Sequence, residues 1–149
     1  MTNLRAIAVG ATILAAGLHP GPAAAADVPL PDDIRIAEPG PAVPEAFRRF
    51  LGTWAGKWSD KLDTVVVVEK VEASGQATVV YAWGDYAPWK VTRDWARWKA
   101  TITGGRMTLE RFPNDAVASF VFRDDGNLGG TYAMQRYVHY GTFRPGKPD

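Results

Sequence analysis

From residue 53 onward, apolar and polar positions alternate with a period of two, the repeat of a strand with one buried face, in seven consecutive runs separated by turn residues. The first run, Thr53–Ser59, places Trp54, Gly56 and Trp58 on one face, where two indoles supply much of a small core. The second, Thr64–Glu72, sets Val65, Val67 and Val71 on one face and Val66 and Val68 on the other, as expected of a strand covered on both sides over part of its length. Ser74-Gly75 turns into Gln76–Trp83, where Val79, Tyr81 and Trp83 alternate with Thr78, Val80 and Ala82. In Thr92–Thr103, Ala96, Trp98, Ala100 and Ile102 oppose Trp95, Arg97, Lys99 and Thr101. Gly104-Gly105 is a two-residue hairpin connection into Arg106–Phe112. Pro113-Asn114 turns into Ala116–Arg123, with Ala118, Phe120 and Phe122 on one face. Asp124-Asp125-Gly126-Asn127 turns into Leu128–Val138, with Leu128, Gly130, Tyr132 and Met134 aligned, and an eighth run over Val138–Phe143 could complete a closure.

Seven or eight strands joined by tight turns, with no helical period between them, predict an all-β fold: an antiparallel up-and-down meander curled into a small seven- to eight-stranded barrel that hides its edges. Just ahead of it, Pro44-Glu45-Ala46 opens a short helix in which Phe47, Phe50 and Leu51 form one apolar stripe suited to lying over a barrel end. The predicted domain spans residues 45–144, with 145–149 as a tail. Residues 27–44 carry Pro29, Pro31, Pro39, Pro41 and Pro44 and read as a semi-rigid, poorly packed linker outside the domain.

The first 26 residues have the parts of a secretory signal: Arg5, an apolar run Ala6–Leu18, a Pro20–Pro22 break and Ala24-Ala25-Ala26, with cleavage expected before Asp27. The competing reading, a membrane anchor, needs roughly 20 apolar residues, more than this run provides. An exported, periplasmic or extracellular protein without later membrane insertion is the expectation. With Arg5 removed, Lys+Arg falls from 17 to 16 against 16 Asp+Glu, so no bulk attraction to nucleic acid follows. The chain has no cysteine, which leaves packing rather than disulfides to hold the fold.

Gly52-Thr53-Trp54, preceded by a short helix and followed by a meander, resembles the Gly-x-Trp motif that opens lipocalin and calycin barrels. That resemblance implies a tryptophan plugging the closed end of an eight-stranded barrel, with an arginine, here Arg136 or Arg144, packed across it. The Thr-Asp-Tyr turn and the disulfide of typical lipocalins are missing, and the chain is shorter. Trp54-x3-Trp58, Val67-Val68-Glu69 and Val80-Tyr81-Ala82-Trp83-Gly84-Asp85 are also similar to an exported bacterial accessory domain, a likeness that implies a fold and no activity.

Catalytic chemistry finds little to stand on. After residue 26 the sole histidine is His139, expected at a rim or edge, and a Ser-His-acid set needs Ser59, Ser74 or Ser119 beside it without any nucleophile elbow. Metal-ligand spacing is missing, and no cofactor is expected. Asp124–Asn127 reads as a hairpin turn rather than a calcium loop.

The aromatic set Trp83, Tyr86, Trp89, Trp95 and Trp98 carries the functional signal. Trp83 and Trp98 suit core packing, whereas Tyr86 and Trp89 fall in a Gly- and Pro-containing loop where large rings have less reason to be buried. A non-catalytic domain binding a small apolar or amphipathic ligand through Tyr81, Trp83, Tyr86, Trp89, Arg97, Trp98, Phe120 and Tyr132 is one expectation, with Lys90, Arg93 or Arg97 meeting an anionic end. The other is an interaction module that binds an envelope polymer or protein through its aromatic rim. A filled interior favours the module; a cavity lined by Trp58, Tyr81, Trp98 and Phe120 favours the carrier. Small residues at Ala96, Ala100, Ala118 and Gly130 leave room for a ligand beside Trp98 and Tyr132 or accommodate the large rings facing them.

Overall fold

The computed structural model describes residues 27–146, so the expected signal segment, 1–26, lies outside the described residues, as does 147–149. Eight antiparallel strands follow one another: β1 Gly52–Trp58, β2 Leu62–Val71, β3 Gln76–Trp83, β4 Asp94–Thr103, β5 Arg106–Leu109, β6 Val117–Phe122, β7 Leu128–Met134 and β8 Tyr137–Gly146. Each pairs with its sequence neighbours, and β8 returns to β1 with Thr53 opposite Gly146 and Gly56 opposite Phe143, closing the barrel. The eighth strand is therefore complete, and it takes in Pro145 and Gly146, which the sequence assigned to a tail.

Period-two alternation decides the faces. Trp54, Trp58, Val66, Val68, Val79, Tyr81, Ala100, Ile102, Ala118, Phe120, Leu128 and Phe143 belong to one buried interior cluster. One assignment changes: Val71 joins the interior rather than the outer face of Val65 and Val67. The β2–β3 register shifts between Val68 and Lys70, a bulge that inserts one residue at Glu69 and reverses the alternation beyond it.

The two ends of the barrel are built differently. At the end where β1 begins, the turns are short, and Gly104 and Gly105 take the positive φ, 57° and 75°, that the tight hairpin requires. The short helix α1, Glu45–Arg48, leads into Phe50, which is fully buried. The Trp54 Nε1–H donates to the Phe50 carbonyl at 2.9 Å, and the Phe122 ring lies 4.7 Å from Phe50 and 5.6 Å from Trp54. The arginine at this plug is Arg49, with its guanidinium 3.7 Å from the Phe122 ring centroid. Arg136 sits in the β7–β8 turn at the opposite end and Arg144 is exposed on the outer face of β8, so neither takes the role that the resemblance implied.

Above this plug, Trp58, Phe120 and Phe143 pack with centroids 4.9 to 5.9 Å apart. A Cβ at Gly130 would stand 2.8 Å from both Phe143 and Trp58. Gly130 is small because rings already occupy the space in front of it.

Residues 27–44 differ from the linker reading. Val28 is buried, and with Leu30 and Ile34 it covers the outward valines Val65, Val67 and Val80. Ala37 N–H donates to the Glu69 carbonyl at 2.7 Å, and Val43 is buried against the closed end. The prolines hold the segment extended without preventing it from lying on the barrel as a strap, and its apolar side chains satisfy the second face of β2.

Candidate functional site: an aromatic cup at the open end

The other half of the barrel is hollow. A cup of about 700 Å³ opens at the end carrying the long β3–β4 and β5–β6 connections. Its floor is formed by Trp58 and Tyr81, joined by a buried hydrogen bond, and Leu62 lines it from the start of β2. Trp83, Trp89 and Val91 form the wall around the β3–β4 loop, and Phe112, Pro113 and Asn114 form the wall after β5. Tyr132, Met134, Tyr137 and His139 complete it from β7 and β8.

The ring packing explains how a small barrel keeps this space open. Phe112 lies 4.9 Å from Tyr81 and 5.9 Å from Tyr132, linking β3 to β7 across the interior. Trp98 stacks behind Phe112 at 5.6 Å, tilted by 30°. Ala87–Trp89 forms a 3-10 turn closed by Lys90 in the left-handed region and by a bridge between Tyr86 and Val91. This turn carries Trp89 over the mouth to His139, with ring centroids 4.6 Å apart. Tyr86 supports Trp89 edge-on at 4.9 Å.

Several polar atoms of the wall and of the rings behind it are bonded within the protein. Trp58 Nε1–H donates to Tyr81 Oη at 2.8 Å, Trp83 Nε1–H to the Thr92 carbonyl at 2.8 Å and Trp98 Nε1–H to the Glu110 carbonyl at 2.7 Å. Burial pushes the Tyr81 phenol well above its ordinary value, so it stays protonated, and the hydrogen bond from Trp58 offsets only part of that shift. Asn114 Nδ2 donates to Tyr132 Oη at 2.9 Å while its Oδ1 accepts the Ala116 N–H. His139 Nδ1 lies 2.8 Å from Ser59 Oγ.

Of the eight residues expected from sequence, Tyr81, Trp83, Trp89 and Tyr132 line the cup. Tyr86 stands behind Trp89 and Trp98 behind Phe112. Phe120 is fully buried between Trp58 and Phe143, below the cup floor. Arg97 points outward, where its Nε donates to Glu69 Oε2 and its Nη2 to Asp33 Oδ1, both at 2.9 Å. A side chain out of phase with Ala96 and Trp98 cannot reach the interior, so Arg97 meets no ligand there. Arg93 is 3.7 Å from Asp85, and neither it nor Lys90 lines the cup, which removes the expected cationic clamp.

Ala100 and Ala118 are buried within the packed half, so the room sits higher than those small residues suggested. Of the lining residues missed from sequence, Phe112 and Asn114 follow β5 outside any strand, where alternation gives no direction, His139 lies in β8 opposite Tyr132, and Met134 shares the face of Tyr132 that alternation already marked. Ser59 and His139 do meet, as a Ser-His set requires, but no carboxylate completes the set among the hydrogen bonds of the described residues.

The fold is an eight-stranded antiparallel β-barrel compatible with lipocalin-like barrels. Comparison with protein-family models, curated proteins and solved structures finds no match.

Proposed function

We propose that this chain is an exported, non-catalytic carrier that holds a small apolar molecule in the open half of its barrel. The observation that carries this reading is the cup itself: about 700 Å³, within the range of small-molecule sites, lined mainly by ring faces, with no Asp, Glu, Lys or Arg in its wall. The indole N–H groups of Trp58 and Trp83 are bonded within the protein, so at these two positions the cup presents ring faces rather than unmet donors. The Gly-x-Trp opening and the closed-end plug support the carrier reading at the level of fold, and the signal pattern of residues 1–26 supports export.

The test is titration with N-phenyl-1-naphthylamine, whose fluorescence rises in apolar sites, together with native mass spectrometry of protein purified from its own envelope. Saturable one-to-one binding and a retained small molecule are expected; absence of binding in both assays overturns the reading. Intact mass of the exported form should place its first residue near Asp27. A second reading, an accessory module on an envelope polymer, draws on Tyr137 and Tyr140, each about two-thirds exposed beside Val138. Retention on cell-wall polymer that disappears in a Tyr137→Ser, Tyr140→Ser double variant would favour it.

A further inference from the structure

We infer that the ligand of the cup is a planar, uncharged aromatic compound carrying a hydroxyl or carbonyl oxygen, and that Tyr132 and His139 bind that oxygen; this rests on the carrier reading.

Shape is the first ground. Eight of the thirteen lining residues carry aromatic rings, counting His139. Trp98, Phe112 and Tyr132 form a nearly parallel run, with interplanar angles of 30° and 24°. A planar ligand extends such a run by offset or edge-on contacts and enters with few rotors to freeze, whereas a flexible chain of similar size gives up its internal freedom.

Polarity is the second. Tyr132 Oη already accepts from Asn114 Nδ2, so its own proton remains to donate. His139 is the Cα partner of Tyr132 across β7 and β8, so both side chains rise from one patch of wall. The Ser59 contact occupies Nδ1, and when the Ser59 hydroxyl donates there, the neutral ring carries its proton on Nε2, a second donor on the neighbouring strand, with the two ring centroids 6.3 Å apart. Charge is the third ground, because a carboxylate or an ammonium entering this wall would find no counter-ion there and would lose its hydration.

Four compounds competing with N-phenyl-1-naphthylamine test the inference: 2-naphthol, naphthalene, 2-naphthoate and decanol. 2-Naphthol should bind roughly tenfold more tightly than naphthalene, the scale of one or two net hydrogen bonds. It should also exceed both decanol and 2-naphthoate. Tyr132→Phe and His139→Phe, which keep a ring in place, should each erode the advantage over naphthalene while N-phenyl-1-naphthylamine still binds. Decanol or 2-naphthoate binding as tightly as 2-naphthol, or an advantage untouched in both variants, overturns the inference and leaves the carrier reading standing. Failure of N-phenyl-1-naphthylamine and all four competitors to bind the parent protein overturns both.

Discussion

The two halves of this barrel are made of the same material and differ in what meets it. Inward-facing aromatic side chains occur in both, from β1 and β6 in the closed half and from β1, β3 and β7 in the open half. In the closed half, Phe50 enters from outside the sheet, Trp54 ties itself to the Phe50 carbonyl and Phe122 fills the remaining gap. In the open half no segment among the described residues fills the interior; rings lean on one another around a circumference, and Phe112 and Trp89 reach inward without filling the centre. A core is thus decided by the plug as much as by the inward pattern, because a ring wall without a plug leaves a cup.

Removing the plug should have the largest effect on stability. Trp54→Ala should destabilise by about 3–5 kcal/mol, the range for emptying a large aromatic site. Trp89→Ala, which removes a half-buried ring over the mouth, should cost about 1 kcal/mol or less. Denaturant melts of the two variants check the contrast, and equal losses would erase the distinction between the halves.

Overpacking sharpens the boundary between them. Gly130→Ala places a methyl carbon 2.8 Å from Phe143 and Trp58, below the cup floor, and should cost about 1–3 kcal/mol as those rings shift. Met134→Trp adds volume on the cup wall, where space exists, and should change stability by less than about 1 kcal/mol while abolishing N-phenyl-1-naphthylamine binding. Loss of stability in Met134→Trp comparable to that of Gly130→Ala would mean the upper half is packed as well.

How much of this was legible depends on what kind of signal each residue carries. The barrel and nearly every face could be read because alternation is local and persists over whole strands. Val71 was misassigned because a bulge inserts a residue without any Gly or Pro to mark it. Arg97 was correctly placed on the outer face yet counted as a ligand residue because it adjoins Trp98 in sequence, and neighbours along a strand point to opposite sides. Phe112, Asn114 and His139 could not be assigned to the cup because their directions are set by turn geometry and by partners distant in sequence, Tyr132 and Ser59 among them. The strap was missed for a different reason: its prolines signal an extended chain but not whether a surface awaits it, and the second apolar face of β2, with Val65 and Val67, was the clue.

That strap provides the smallest and most selective effect. Arg97 joins Glu69, at the bulge, to Asp33, in the strap, and the Arg35 and Ala37 amides approach Glu69 as well. The hydrogen bond from Arg97 holds the Asp33 carboxyl below its ordinary value of 3.8, with slight burial opposing the shift. A carboxyl whose folded value is depressed stabilises above its unfolded value and loses that contribution as pH falls through the folded one, so the strap's attachment should weaken below about pH 4. The group is exposed, so the effect is small and weakens with salt. An NMR titration should show the Ala37 amide moving first, while the Val79 amide, inside the sheet, holds its shift. Arg97→Met should displace the Ala37 signal already at neutral pH and flatten its acid titration. Val79 and Ala37 moving together at one midpoint would mean that strap and barrel unfold as a single unit, and that Arg97 does not anchor a separable segment.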